Sequence, residues 1–397
     1  MVLIPAAVCL LLAQPPGDRG RPDAAFDAEY MRLKEGRAYS KEVSKGTLKK
    51  RHGAFNYWLV IPETYDPTRK YQVRFQLHGG VMREDSTLRG DGSVRLSGAE
   101  QIYVMPAGWS EAPWWSDQQA GALRAILEDV KREYNVDENR VVVSGVSDGG
   151  TGAFFIAMRD TTPYASFLPL NGYVLVLTSP ELAIRGDLFL NNLRNKPLYI
   201  VNGGRDPLYP MATVEPSIAH LNQGGVPIVY RPQENAGHDT TWWPALRDDF
   251  EVFVRRHPRD PLPDNLTWEV SETRTWNRAH WLIIDKVGTT PGDAKNLPDL
   301  NLSGGMPVFR NGKSGRVDLK RAGNTVTATT RGVKEFTLLL SPDRFDFGQN
   351  VKVIVNGRVA FDGRVEKSIA TLTKWAARDN DRTMLFAAEL KIMAYGS

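Results

Sequence analysis

The chain has 397 residues, with 50 Lys+Arg against 46 Asp+Glu and a formal net charge of +4. Apolar residues make up 42% and charged residues 24%, values that exclude wholesale disorder, collagen and coiled coil and allow one large domain or two ordinary ones. A single cysteine excludes an intramolecular disulfide, and the charge is too small to argue for nucleic acid despite a pI near 9.0.

Residues 2–13 (VLIPAAVCLLLA) are almost wholly apolar and are followed by Gln14-Pro15-Pro16-Gly17. The segment is too short to span a bilayer and has the length of a signal-peptide hydrophobic region, with Ala13 as the small residue before a cleavage site. Nothing basic follows Met1, and Val8 fits poorly before Cys9 for a lipoprotein. Residues 1–20 are therefore expected to be a signal peptide and linker, and the protein secreted or periplasmic. No later apolar run reaches membrane-spanning length. Lys49-Lys50-Arg51 is the densest basic run and reads as a solvated face.

Between residues 21 and 263 strand-like and helix-like segments alternate. Tyr57-Trp58-Leu59-Val60-Ile61, residues 71–77, Ile102-Tyr103-Val104-Met105 and Val141-Val142-Val143 are short apolar runs. Phe167-Leu168-Pro169-Leu170, Leu198-Tyr199-Ile200-Val201 and residues 226–230 continue the series. In residues 123–134, Leu123, Ile126, Leu127 and Val130 fall at helical spacing. This alternation predicts a three-layer α/β domain with a mostly parallel central sheet. After Asp260-Pro261-Leu262-Pro263-Asp264 the pattern changes to strands separated by Asn311-Gly312 and Asn356-Gly357, strong hairpin signals. Residues 264–397 are expected to form an all-β, antiparallel sandwich. Its Trp268, Trp276, Trp281 and Trp375 are either stacking platforms for a polymer or core residues.

One motif carries chemistry. Gly145-Val146-Ser147-Asp148-Gly149 follows a β-branched run and precedes a small, then apolar, helical segment. Such a turn lifts a serine Oγ off the end of a strand, and glycines on both sides leave room for it. A nucleophilic serine needs a base and a group to orient that base. His238 lies in a small-residue loop after a strand, whereas His220, His257 and His280 fall in a helix, past a helix end and in the β region. Asp206, just past a strand end and fixed by Pro207, is the candidate acid. Asp239 is badly placed beside the base, and Asp148 reads as a helix cap. Leu77-His78-Gly79-Gly80-Val81 ends another strand. The N–H of Gly80 or of Val81, with that of Asp148, would make an oxyanion hole. His78 reads as a structural hydrogen-bonder. Trp114-Trp115 and Trp242-Trp243 are either pocket walls or core aromatics, and loops 82–100 and 172–195 set the pocket shape.

With His78-Gly79-Gly80, the Ser147 turn, Gly203-Gly204-Arg205-Asp206 and Gly237-His238 in this order, residues 57–253 resemble the α/β-hydrolase superfamily. The likeness is to its secreted serine esterases: polyhydroxyalkanoate-depolymerase-like, feruloyl-esterase-like and phospholipase/carboxylesterase types. The resemblance implies hydrolysis of a small-molecule or polymeric ester through an acyl-enzyme, with no metal and no organic cofactor. It does not extend past Pro263. A prolyl-oligopeptidase-type peptidase shares the fold and triad, but fewer than sixty residues precede the first expected strand. A retired hydrolase scaffold used for binding has no need of a strained serine turn. Asn311-Gly312-Lys313-Ser314 resembles the end of a phosphate loop, but Pro307 stands where its first glycine belongs.

Overall fold

A computed structural model describes residues 24–394 except 84–86, 89, 91, 93–94, 185–186 and 289–313. The apolar segment at residues 2–13 and the Asn311-Gly312 turn lie outside the described residues.

Eight strands form the first sheet: β1 Gly46–His52, β2 Phe55–Ile61, β3 Tyr71–Leu77, β4 Ile102–Pro106, β5 Val136–Val146, β6 Ser166–Leu170, β7 Leu198–Gly203 and β8 Ile228–Gln233. Their order is β1-β2-β4-β3-β5-β6-β7-β8. The pairs β1–β2 and β2–β4 are antiparallel, and every pair from β4 onward is parallel. Parallel strands are covered on both faces, so β6 and β7 are buried along their whole length. The basic run at residues 49–51 is itself a strand, on the open edge of this sheet. Exposed Lys and Arg on an edge discourage pairing with a second chain.

Helix α1, Ala24–Glu35, precedes the sheet, and α2 Asp117–Glu133, α3 Asp148–Arg159, α4 Met211–Gln223 and α5 Trp243–Arg256 lie within it. Helix α2 starts where the Ser116 hydroxyl accepts the Gln119 N–H, and it buries Leu123, Ile126, Leu127 and Val130, the face its spacing predicts. Helix α3 buries every residue from 149 to 158 behind the serine turn.

Residues 265–393 form two further sheets around one core. The strands are β9 Asn265–Val270, β10 Arg278–Ala279, β11 Leu282–Val287, β12 Gly315–Ala322, β13 Thr325–Arg331, β14 Val333–Leu340, β15 Val351–Val355, β16 Arg358–Gly363 and β17 Ala388–Met393. One sheet runs β10-β11-β14-β17 and the other β16-β15-β13-β12-β9. The sandwich departs from the expected all-β, antiparallel form in two respects. Strands β13 and β15 pair in parallel, and an amphipathic helix, α6 Ile369–Asp379, packs on it. The Asn356-Gly357 turn joins β15 to β16 with φ of 49° and 80°, as a tight hairpin requires. Trp268, Trp281 and Trp375 are core residues, and Trp276 donates its indole N–H to Asp117 at 2.9 Å. None of the three core tryptophans is a surface platform.

Polar contacts tie this region to the first sheet and its helices. Arg259 pairs with Asp381 at 2.7 Å, both buried, and Lys131 donates to the Asp379 carbonyl at 3.1 Å. Within the C-terminal region, Arg278 of β10 grips Asp379 at the end of α6 through two bonds of 2.6 Å. In the 3-10 turn Leu190–Asn195, the amide of Asn192 exchanges both hydrogen bonds with the Glu269 backbone, at 3.0 and 2.8 Å. Asn195 does the same with Thr267, at 2.6 and 3.0 Å. Helix α1 lies against α6, where Phe26 and Tyr30 join Leu372, Leu385 and Ala387.

Candidate active site

Ser147 stands between β5 and α3 at φ 59° and ψ −121°, a region of backbone space that costs a non-glycine residue about 1–3 kcal/mol. The flanking glycines hold it there. A Cβ on Gly145 would lie 2.1 Å from the Gly149 carbonyl oxygen, and one on Gly149 would lie 2.2 Å from that of Leu77. The serine side chain is thereby presented at the carboxyl end of the sheet.

The loop after β8 brings His238 to it, with Nε2 2.8 Å from Ser147 Oγ. On its other side, His238 Nδ1 lies 2.7 Å from Asp206 Oδ2. The Nδ1–H donates to the carboxylate, leaving Nε2 to accept the serine O–H. Asp206 Oδ1 accepts the backbone N–H groups of Leu208 at 2.8 Å and Tyr209 at 2.9 Å. Each oxygen of this buried carboxylate therefore has a fixed partner. Asp239 is excluded as the orienting acid by its own bonds. Its carboxylate accepts the N–H and hydroxyl of Thr241, which hold its pKa below the ordinary value.

The structure corrects two readings of the oxyanion region. Val81 N–H donates to Asp148 Oδ2 at 2.9 Å, so it is committed to a carboxylate. Asp148 is the first residue of α3, and its side chain reaches across to β3's loop instead of capping the helix. Its backbone N–H belongs to the first turn, where an α-helix offers no internal acceptor. From the glycine loop, Gly80 is the alternative donor, at φ 63°. A Cβ on Gly79 would meet Ser147 Cβ at 2.9 Å, so this loop passes directly over the Ser147 side chain. His78 is the hydrogen-bonder expected of it. Its Nδ1–H donates to the Gly79 carbonyl at 2.8 Å, and its Nε2 accepts the Gly108 N–H at 3.0 Å.

Trp114, Trp115 and Trp242 are buried supports of the site and do not line its cavity. Trp114 is fully buried, donates its indole N–H to the His78 carbonyl at 2.8 Å, and packs where Gly152 leaves space. Trp115 is core. Trp242 is also buried, and its indole N–H donates to the Asp239 carbonyl at 2.8 Å, steadying the His238 loop. The same carbonyl accepts Asn171 Nδ2 at 2.6 Å. Asn171 is a residue that sequence reasoning missed. Its signal was an Asn-Gly pair directly after a buried strand, and the structure places it at φ 47°.

A cavity of about 310 Å³ opens beside the turn, lined among others by Trp58, Leu88, Leu96, Met105, Gly79 and Val146. On the other flank, Tyr209 meets the His238 ring edge to face at 5.6 Å, with Tyr173 6.0 Å beyond it. Among the described residues no group of three His, Cys, Asp or Glu side chains is arranged to hold a metal ion. No described helix is long and apolar enough to cross a membrane.

No family model matches the chain. Feruloyl esterase C of Emericella nidulans is 28% identical over 126 residues, covering 29% of this chain and 46% of that protein. "Probable feruloyl esterase C" of Aspergillus niger is 28% identical over 131 residues, or 30% of this chain and 47% of that protein. The chain thus spans about half the length of the curated relatives it matches. Among solved structures, a thermostable esterase is 19% identical, with 54% of this chain and 63% of that one covered and a TM-score of 0.43. A ferulic acid esterase is 20% identical, with 51% and 92% covered and a TM-score of 0.40. An acylaminoacyl peptidase of Pyrococcus horikoshii is 15% identical, with 55% and 43% covered and a TM-score of 0.43. The strand order and the backbone of the serine turn are those of the α/β-hydrolase fold, and feruloyl esterases are among the sequence relatives of the chain.

Proposed function

We propose that the chain hydrolyses carboxylic esters through an acyl-enzyme, with Ser147, His238 and Asp206 as nucleophile, base and orienting acid. The reading is carried by one observation: an unbroken Ser147–His238–Asp206 hydrogen-bond chain on a strained serine turn. Ser147 Oγ attacks the carbonyl carbon as Nε2 takes its proton, and the imidazolium is held by the buried Asp206 carboxylate. The N–H groups of Asp148 and Gly80 stabilise the oxyanion. Collapse expels the alcohol, which receives the proton from Nε2, and water then attacks the acyl-enzyme by the same relay.

The acyl group occupies the cavity beside Val146, because the leaving alcohol must depart against His238, whose far flank Tyr209 occupies. A cavity of about 310 Å³ walled by Trp58, Leu96 and Met105 suits an aromatic or medium-length apolar acyl group. The relatives' name, feruloyl esterase, is in keeping with an arylacyl substrate. Export of the protein belongs to the same proposal and rests on the apolar segment at residues 2–13.

The test is turnover of p-nitrophenyl acyl esters from acetate to palmitate, methyl ferulate and aminoacyl p-nitroanilides, with Ser147→Ala as control. Ester turnover lost in Ser147→Ala is the expected result. Anilide cleavage without ester cleavage would replace the esterase with a peptidase, and activity surviving in Ser147→Ala would remove the assigned nucleophile.

A further inference from the structure

The basic run on the edge strand lies on the path out of the acyl cavity. Burial along β1 alternates, so Thr47, Lys49 and Arg51 share the exposed face. Register places Lys49 opposite Trp58 on β2, and Trp58 opposite Met105 on β4. Trp58 and Met105 both wall the apolar cavity. A second groove of about 450 Å³ is lined by Lys49, Arg51 and Asn56, and it shares Trp58, Leu88 and Gly90 with that cavity. The two adjoin through these shared walls, the inner one apolar beside the serine turn and the outer one cationic, and together form a trough.

Of the three cations at that end, Lys50 pairs with Glu133 at 3.4 Å, and the other two are not spent on carboxylates. Among the described residues neither Lys49 nor Arg51 makes an ion pair. Lys49 Nζ sits 5.0 Å over the Trp58 ring, and Arg51 Nε donates to the Gly53 carbonyl. Edge-strand lysines alone would need no ligand. Here, however, the charge is laid over the tryptophan that forms the cavity wall. We propose that the substrate's acyl half carries an anionic group at its distal end, which Lys49 and Arg51 receive while its apolar part fills the Trp58–Met105 cavity. The inference rests on the esterase reading. The strand order puts β1 four positions from β5, which carries the serine, or roughly 19 Å at ~4.8 Å per strand. The Lys49 and Arg51 side chains shorten that reach. The class that fits is an ester of a dicarboxylic or otherwise acid-terminated acyl group.

The experiment compares kcat/KM for p-nitrophenyl monoesters of straight-chain dicarboxylic acids with that for their methyl-capped neutral counterparts. Wild type is expected to favour the acid-terminated ester about tenfold at low ionic strength, in the range two exposed ion pairs supply. The preference should be largest at one chain length and fall toward unity in ~0.5 M salt, where screening acts within a few ångströms. Lys49→Gln/Arg51→Gln should abolish it through KM, while removal of a remote charge by Lys334→Gln should not. A ratio near one in wild type, or a ratio unchanged in the double variant, overturns the proposal even though neutral esters are hydrolysed. If no ester is hydrolysed, the underlying reading fails. In that case titration of Ser147→Ala with the acid-terminated ester still judges the trough. Salt-sensitive binding lost when Lys49→Gln and Arg51→Gln are added to Ser147→Ala supports it, and its absence removes it.

Discussion

Asp206→Asn isolates what the orienting acid does, because the structure dictates how the new amide must sit. Asp206 Oδ1 accepts two backbone N–H groups, from Leu208 and Tyr209. The asparagine carbonyl oxygen must keep that position, since an NH2 there would face two donors and leave them unsatisfied. The amide NH2 is therefore forced into the Oδ2 position, 2.7 Å from His238 Nδ1. It can only donate, so Nδ1 becomes the acceptor and Nε2 carries the proton. An Nε2–H cannot accept the serine proton. The expected fall in kcat is ~10⁴-fold, or about 5.5 kcal/mol of transition-state stabilisation, with KM little changed. Stability should drop by no more than about 1–2 kcal/mol, because both backbone bonds survive. Steady-state turnover of a p-nitrophenyl ester and thermal unfolding on the same preparation measure the two effects. A loss of less than about tenfold in a folded variant would refute the assigned tautomer and with it the role of Asp206.

Other perturbations test other parts of the structure. Gly149→Ala drives a methyl to 2.2 Å from the Leu77 carbonyl oxygen and should cost about 3 kcal/mol or prevent soluble expression. Gly121→Ala, inside α2 with open space around the new Cβ, should instead raise the unfolding temperature by the equivalent of about 0.5–1 kcal/mol. Asn171→Asp keeps the shape but replaces the donor to the Asp239 carbonyl with an acceptor, so kcat should fall about 10–100-fold through a loosened His238 loop. His280 is fully buried near the cations of Lys196 and Arg259, and burial pushes its pKa well below 6.5. The unfolded chain then binds a proton that the folded chain refuses. Its contribution is therefore complete above about pH 6.5 and is lost by ~1.4 kcal/mol per unit as pH falls below it. Thermal unfolding from pH 8 to 5 should show that slope, and His280→Asn, which tolerates the φ of 51°, should flatten it.

The parts of the site that were legible in the sequence are those where backbone geometry leaves a residue-type signature. Ser147, Asp206 and His238 sit at strand ends next to glycines or proline, and the structure brings their side chains together. Residues acting through tertiary position were not legible. Trp114 and Trp242 look the same in sequence whether they wall a pocket or brace a loop. Only their indole bonds to the His78 and Asp239 carbonyls show the latter. The committed N–H of Val81 depends on a side chain 67 residues away. Strand β1 was missed because GTLKKRH is polar on both faces, as an edge strand can be, and helix α6 was masked by the strands on either side of it. Trp58 was visible only as a strand residue, since nothing local says that its face opens toward Met105.

The two asparagines that meet β9 are spaced to imitate a strand. In a 3-10 turn, residues three apart stand above one another and advance about 6 Å. Alternate residues of a strand advance about 6.6–6.8 Å. Asn192 and Asn195 can therefore each satisfy one outward-facing peptide of β9, at Glu269 and Thr267, and the five-stranded sheet ends on amide side chains instead of backbone. The first half of the chain thus acts as a terminator for the other half's sheet. Cutting the chain between them would leave β9 with bare N–H and C=O groups, able to recruit a strand from any neighbour. The first half is in this sense a chaperone for the second, and a separated C-terminal fragment should self-associate more readily than the intact chain.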